Sequence, residues 1–185
     1  MFRELIATCG DLSLEQVSAL ERHYELMCRW NKVLNLTTIH DLEQAVQRHY
    51  CEALFLASHL PSEVSVADIG SGAGFPGFVV AVVRPGCEVT LIEAHKRKAV
   101  FLQEASRGMP NVRVVAVRAE SVKARFDWTV SRAVSYDDLG KALLALAPRT
   151  ALLTGIEDPP LSWGLSWRSF PLPGADQRFL RIGES

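Results

Sequence analysis

From Asp68 to Gly77 the chain reads Asp-Ile-Gly-Ser-Gly-Ala-Gly-Phe-Pro-Gly. No other stretch has residue types and spacing so suited to binding chemistry. Glycines at Gly70, Gly72 and Gly74 permit a tight turn and let a ligand lie against the backbone. Pro76 suits the first position of a following helix, where its missing N–H costs nothing. Gly72, Gly74 and Gly77 satisfy G-x-G-x-x-G, the spacing of a nucleotide-binding loop. Such a loop carries meaning between a strand and a helix. Residues 64–69 are strand-like, and residues 76–83 are apolar and helix-compatible.

Asp68 stands at the strand end, just before the loop. A carboxylate there repels phosphates but suits a ligand with an ammonium and a sulfonium, as S-adenosyl-L-methionine has. Glu93 ends the next strand, where a carboxylate can accept hydrogen bonds from both ribose hydroxyls. Nicotinamide enzymes use the same device, so Glu93 predicts an adenosine ligand without choosing between the two. No later segment resembles a second mononucleotide half, which favours S-adenosyl-L-methionine and leaves a nicotinamide-dependent oxidoreductase as the alternative. Ala119 and Glu120 follow the third strand, beside the expected adenine pocket. Ser131-Arg132-Ala133 ends the fourth strand, and an arginine at that mouth can hold a carboxylate or a phosphate. No side chain is nominated as catalytic acid or base, and no metal site is predicted. His23, His40, His49, His59 and His95 read as surface or packing residues.

These residues need a scaffold. Ser13 and Gln16 form a capping box that opens a helix, with Val17, Leu20, Tyr24, Met27, Trp30 and Leu34 as its apolar stripe. A second amphipathic helix is predicted over residues 41–60, ended by Pro61. Strand-like runs then fall at 64–69, 88–92, 112–117, 127–134, 150–154, 165–170 and 178–182, with helices at 76–83, 95–106 and 137–147. This alternation predicts an α/β fold: a doubly wound, mostly parallel seven-stranded sheet over residues 62–185, with residues 1–61 as an N-terminal helical extension.

The chain has 185 residues, 48% of them hydrophobic, enough for a core without metals or disulfides. Cys9, Cys28, Cys51 and Cys87 show no CxxC spacing and read as unpaired small hydrophobes. The N-terminus lacks an apolar signal core and no apolar run reaches membrane-spanning length, so a cytoplasmic, monomeric protein without a membrane partner is expected. Net charge is −1, yet residues 96–132 hold nine Lys/Arg against three Asp/Glu. Such a local excess can attract phosphates although the whole chain is nearly neutral.

Several motifs together resemble one family, the RsmG (glucose-inhibited division protein B) methyltransferases. Trp30 to Thr37 is similar to the family's W-N-x-x-x-N-L-T, Arg48-His49 to its R-H pair, and Asp68 to Gly77 to its glycine loop. Glu93 with Lys96-Arg97-Lys98 and Phe101-Leu102, then Arg118-Ala119-Glu120, Ser131-Arg132-Ala133 and Gln177-Arg178-Phe179-Leu180, continue the likeness in order. The resemblance implies a Rossmann-like class I methyltransferase acting on N7 of a guanine in 16S ribosomal RNA, guanine 527 in the family. It implies cofactor contacts from Gly70, Phe75, Ala119, Glu120 and Arg132, with Asp68 and Glu93 serving the amino end and ribose. Lys96, Arg97, Lys98 and Arg178 are the expected RNA contacts. Glu52-Ala53 stands where the family has Asp-Ser, Thr154 where it has lysine, and the C-terminal part is shorter than the family pattern. Thr154 and the short C-terminal part keep a non-catalytic RNA-binding assembly module open as a further alternative.

Overall fold

The computed structural model describes residues 1–185. Seven strands form one sheet in the order β3-β2-β1-β4-β5-β7-β6. They are β1 Ser65–Ile69, β2 Glu88–Ile92, β3 Val112–Val115, β4 Trp128–Arg132, β5 Arg149–Thr154, β6 Ser166–Pro171 and β7 Phe179–Glu184. The first five pair in parallel, and β7 inserts antiparallel between β5 and β6. Helices α5 Gly77–Val83, α6 Lys96–Ala105 and α7 Tyr136–Leu146 make the crossovers. Because helices cover both faces, β1, β4 and β5 are almost continuously buried rather than alternating. One core beneath α7 gathers Ile69, Ile92, Leu139, Leu143, Leu146 and Leu152.

The larger core lies on the opposite face and includes the N-terminal helices α1 Phe2–Ile6, α2 Leu14–Asn31, α3 Leu42–Ala45 and α4 Glu52–Ser58. Ser13 caps α2 as its sequence requires: Gln16 N–H donates to Ser13 Oγ (3.2 Å) and Ser13 N–H to Gln16 Oε1 (2.9 Å). Val17, Leu20, Leu26 and Met27 face the sheet domain and share its core with Val80 and Leu102. α1 gives no periodicity signal because it is one turn long; it is held by Phe2, stacked 5.3 Å from Tyr24.

Three expectations are corrected here. The helix predicted over 41–60 is broken by a π-helical turn at Val46–Cys51, between α3 and α4. Such turns arise where a wider backbone helix re-aims side chains, often at functional sites, and this one carries Arg48 and His49. The cysteines are also not all unpaired: Cys9 and Cys51 are disulfide-bonded, their Cα atoms 5.2 Å apart, while Cys28 is free and exposed and Cys87 free and buried. The partners lie 42 residues apart, and only the packing of the segment after α1 against the π-helical turn brings them together. Pro76 is also one residue earlier than predicted, capping α5 rather than starting it.

Candidate functional site

The carboxyl ends of four adjacent strands bring the predicted residues into a line. In spatial order they are Ala119–Ser121 (a 3₁₀ turn after β3), Glu93 after β2, the glycine loop after β1, and Arg132 at the end of β4. Ligands of open α/β sheets bind outside these ends, where the order of strands reverses. Here the reversal falls between β1 and β4.

Backbone hydrogen bonds shape the loop. Gly70 N–H and Ser71 N–H both donate to Ile92 O (2.9 and 3.1 Å), tying the turn to β2. Asp68 is fully buried beneath it, and its Oδ2 accepts from Gly77 N–H at 2.9 Å. Burial pushes the Asp68 pKa up to about 7. Its Oδ1 has no partner in the protein, which leaves an acceptor at the end of β1 that an ammonium would satisfy. Glu93 Oε2 accepts from Gly72 N–H (2.9 Å) and Oε1 from His95 N–H (2.7 Å), so one carboxylate braces the loop and the start of α6. Gly72 has a φ of +55°, and the nearest atom to a Cβ built there is Gly70 O at 3.8 Å: its open face lets a ligand approach the backbone. Gly74 is different, since a Cβ there meets Phe78 Cβ at 3.0 Å and His23 Nε2 at 3.2 Å.

The N-terminal layer supports this loop from below. His23 is buried, with Nε2 2.9 Å from Ala73 O and Nδ1 2.8 Å from Tyr50 Oη. A carbonyl only accepts, so Nε2 carries the proton and Nδ1 accepts from the tyrosine. Burial holds the His23 pKa down to about 4. The Phe75 ring is buried among His23, His49 and Tyr50, stacked on His49 at 4.8 Å. Only its backbone is left to meet a ligand.

Arg132 closes the line. Its Nη1 donates to Arg48 O and to His49 Nδ1, both at 2.8 Å, and its guanidinium lies 4.9 Å from the Phe75 ring centre. Burial lowers its pKa to about 10, still leaving it charged. Beside it opens a cavity of about 810 Å³ whose lining includes Thr37, Arg48, His49, Arg132, Thr154 and Arg178. Arg178 is not free there: its Nε and Nη2 donate to Glu52 Oε1 and Oε2 at 2.8 and 2.6 Å. Glu52 is buried, and Arg48 Nε lies 3.4 Å from it. Arg48, Arg132 and Arg178 line the cavity together with Asp137 and Glu157, and with Glu52 buried beneath them the formal charges balance. Thr154 Oγ1 accepts from Arg181 Nε (3.1 Å), whose Nη2 also holds Ile156 O (3.2 Å) at the cavity rim.

The other predicted residues spread wider. Lys96 and Arg97 are exposed and Lys98 half-buried on the first turn of α6, with Arg97 Nη2 3.4 Å from Val33 O. The basic stretch 96–132 is not one face: Arg113, Lys123 and Arg125 line a separate cavity with Ser65 and Glu88, at the opposite ends of the strands. Sequence reasoning assigns no site role to His49, His23, Thr37 or Glu52. His49 sits in the apolar stripe of its helix, so spacing alone reads it as packing; its pairing with an arginine 83 residues away is invisible without the fold.

A parallel sheet closed by one antiparallel strand between β5 and β6, with a glycine loop after β1, defines the Rossmann-like methyltransferase fold. Solved structures share it: a methyltransferase from Pyrococcus furiosus superposes with a TM-score of 0.62 at 16% identity, over 90% of this chain and 98% of that one. TrmN from Thermus thermophilus gives 0.55 at 21% identity, over 72% and 47%. Within that class, residues 16–150 match the family described as rRNA small subunit methyltransferase G, and the chain belongs to that family. Ribosomal RNA small subunit methyltransferase G of Dichelobacter nodosus is 43% identical over 125 residues, covering 65% of this chain and 59% of that protein. Its counterpart in Nitrosomonas europaea is 41% identical over 136 residues, covering 71% and 61%. The chain thus spans about 60% of the length of the curated relatives it matches.

Proposed function

We propose that this chain binds S-adenosyl-L-methionine across the ends of β1–β4 and methylates N7 of a guanine in 16S ribosomal RNA, as its family relatives are named for doing to small-subunit RNA. The observation that carries this reading is the line of groups at those strand ends, which leads into a cavity lined by Arg132. The residues fit the cofactor. Gly72 offers an open face, Asp68 Oδ1 is an unsatisfied acceptor for its amino end, and Glu93 is a strand-end carboxylate for its ribose. Gly70, Gly74 and the backbone of Phe75 shape the loop, and Ala119 with Glu120 flank the adenine. Arg132 holds a carboxylate or phosphate. The bound cofactor supplies an electrophilic methyl on a sulfonium.

Guanine N7 carries a lone pair and no proton, so the chain needs no general base. The cavity agrees with that requirement: His49, its buried imidazole, has both ring nitrogens engaged by protein groups. Catalysis then rests on alignment, an effect worth up to ~7–11 kcal/mol. N7 lies on the deep, narrow groove edge of A-form RNA, so the guanine must be unpaired or flipped out to enter. Lys96, Arg97 and Lys98 steer phosphates toward the mouth. Basic residues on the first turn of a helix oppose its dipole, which favours a binding role over a structural one. We further propose a monomer working in the cytoplasm; no helix is long and apolar enough to cross a membrane.

Nucleoside mass spectrometry of 16S RNA from cells with and without this protein tests the reading. N7-methylguanosine is expected only with it, and an unchanged profile overturns it. Calorimetry separates the oxidoreductase alternative: S-adenosylhomocysteine is expected to bind and NAD(H) not.

A further inference from the structure

Thr37, His49 and Arg132 form one hydrogen-bonded line from the N-terminal helical layer to the end of β4. His49 Nδ1 lies 2.8 Å from Arg132 Nη1, and His49 Nε2 lies 2.8 Å from Thr37 Oγ1. A guanidinium only donates, so Nδ1 must present a bare lone pair. The single ring proton then sits on Nε2 and is donated to Thr37. An imidazolium has no acceptor and would break the link to Arg132. Burial and the adjacent Arg132 charge keep the ring neutral, its pKa held down to about 3.

Each member is fixed in turn. The His49 ring lies flat on Phe75, 18° from parallel. Thr37 Oγ1 also accepts from Ile39 N–H at 3.1 Å. The Thr37 backbone is clamped by Asn31, whose Oδ1 accepts from Leu36 and Thr37 N–H (2.6 and 3.0 Å) and whose Nδ2 donates to Thr37 O (2.9 Å). At the far end, Arg132 commits Nη1 to two protein acceptors, Arg48 O and His49 Nδ1. Nε and Nη2 have no protein partner, and Arg132 lines the cavity. Those two nitrogens form the planar edge that grips an oxyanion side-on with two parallel N–H groups.

We propose that Thr37 and His49 are positioning residues: by fixing the Nε2–H form of His49 they tether Nη1 of Arg132 and present its Nε/Nη2 edge to an oxyanion in the cavity. The oxyanion is a carboxylate or a phosphate, supplied by the cofactor or by the RNA. The proposal deepens the reading of Arg132 given above and rests on it.

The test uses the whole chain. Nitrogen-15 NMR of the imidazole is expected to show Nδ1 bare and Nε2 protonated between pH 5 and pH 8 (the window is roughly two pH units above the depressed pKa). A protonated Nδ1, or an imidazolium in that window, overturns the proposal. Thr37→Val removes the hydroxyl at nearly constant volume, and Thr37→Ser restores it. The valine variant is expected to bind about tenfold more weakly, the scale of one charge-assisted hydrogen bond, and the serine variant to recover wild-type affinity. Two probes are titrated. Weakening toward S-adenosylhomocysteine identifies the carboxylate, and weakening toward a 16S-derived RNA hairpin identifies the phosphate. If neither affinity changes, or if serine does not rescue, the positioning role is refuted. The NMR result does not depend on methyl transfer, so failure of the proposed activity and failure of this inference can be told apart.

Discussion

At the scale of single residues, the glycine loop concentrates the consequences. Gly72 combines a φ of +55° with an open face, so Gly72→Val is expected to cost roughly 1–2 kcal/mol of stability through backbone strain. It is expected to lose measurable S-adenosylhomocysteine binding while remaining folded by circular dichroism. Retained affinity in the folded variant would put the ligand elsewhere. Glu93 gives a graded counterpart. Its carboxylate holds Gly72 and His95 N–H groups, and Glu93→Ala is expected to weaken cofactor binding by roughly 1–3 kcal/mol in calorimetry. An unchanged dissociation constant would remove it from the ribose. The positions of both residues are legible in the sequence because a glycine run after one strand and a carboxylate after the next are local patterns. His49 is not, because its role depends on which proton it carries, and that is decided by Thr37 and Arg132, distant in the chain.

At the scale of elements, β2 and the glycine loop can be read from the sequence almost residue for residue, since a buried parallel strand bounded by turn residues leaves a strong pattern. The π-helical turn at Val46–Cys51 leaves none: it keeps the composition of the helix around it and alters only which way Arg48 and His49 point. The split of the basic stretch is equally hidden, because sequence shows charge density but not which end of the sheet each side chain reaches. Helix α6 carries the element-scale prediction. Replacing Lys96, Arg97 and Lys98 with alanine is expected to lower the slope of log RNA affinity against log salt by up to about 3, one for each phosphate that is no longer neutralised. Helix stability should not fall, since like-signed charge is removed from the positive end of the dipole. An identical salt slope would return the three residues to an ordinary solvated face.

At the scale of the whole molecule, three buried titratable groups set an acid response. His23 and His49 have native pKa values near 4 and 3 against about 6.5 when unfolded, so below about pH 6.5 the unfolded chain takes up protons the native one excludes, and stability falls as pH drops. Asp68 works the other way: with a native pKa of about 7, its contribution is full below about pH 4 and is lost as pH rises to 7. Two histidines against one aspartate leave a net gain in stability with rising pH between roughly pH 4 and 6.5, on the order of 1 kcal/mol per unit, and little change above about pH 7. Urea melts across that range are expected to show it, and His23→Gln, which can keep both hydrogen bonds without titrating, is expected to flatten the slope. A slope unchanged by that substitution would exclude His23 as a source. The order of the strands has a different consequence, for synthesis. β6 leaves the ribosome before β7, yet its only neighbour in the sheet is β7. Until Phe179–Glu184 arrives, the nascent chain must hold β6 apart, with the edge of β5 bare and ready to pair with another chain, so this is the interval in which a chaperone would matter most.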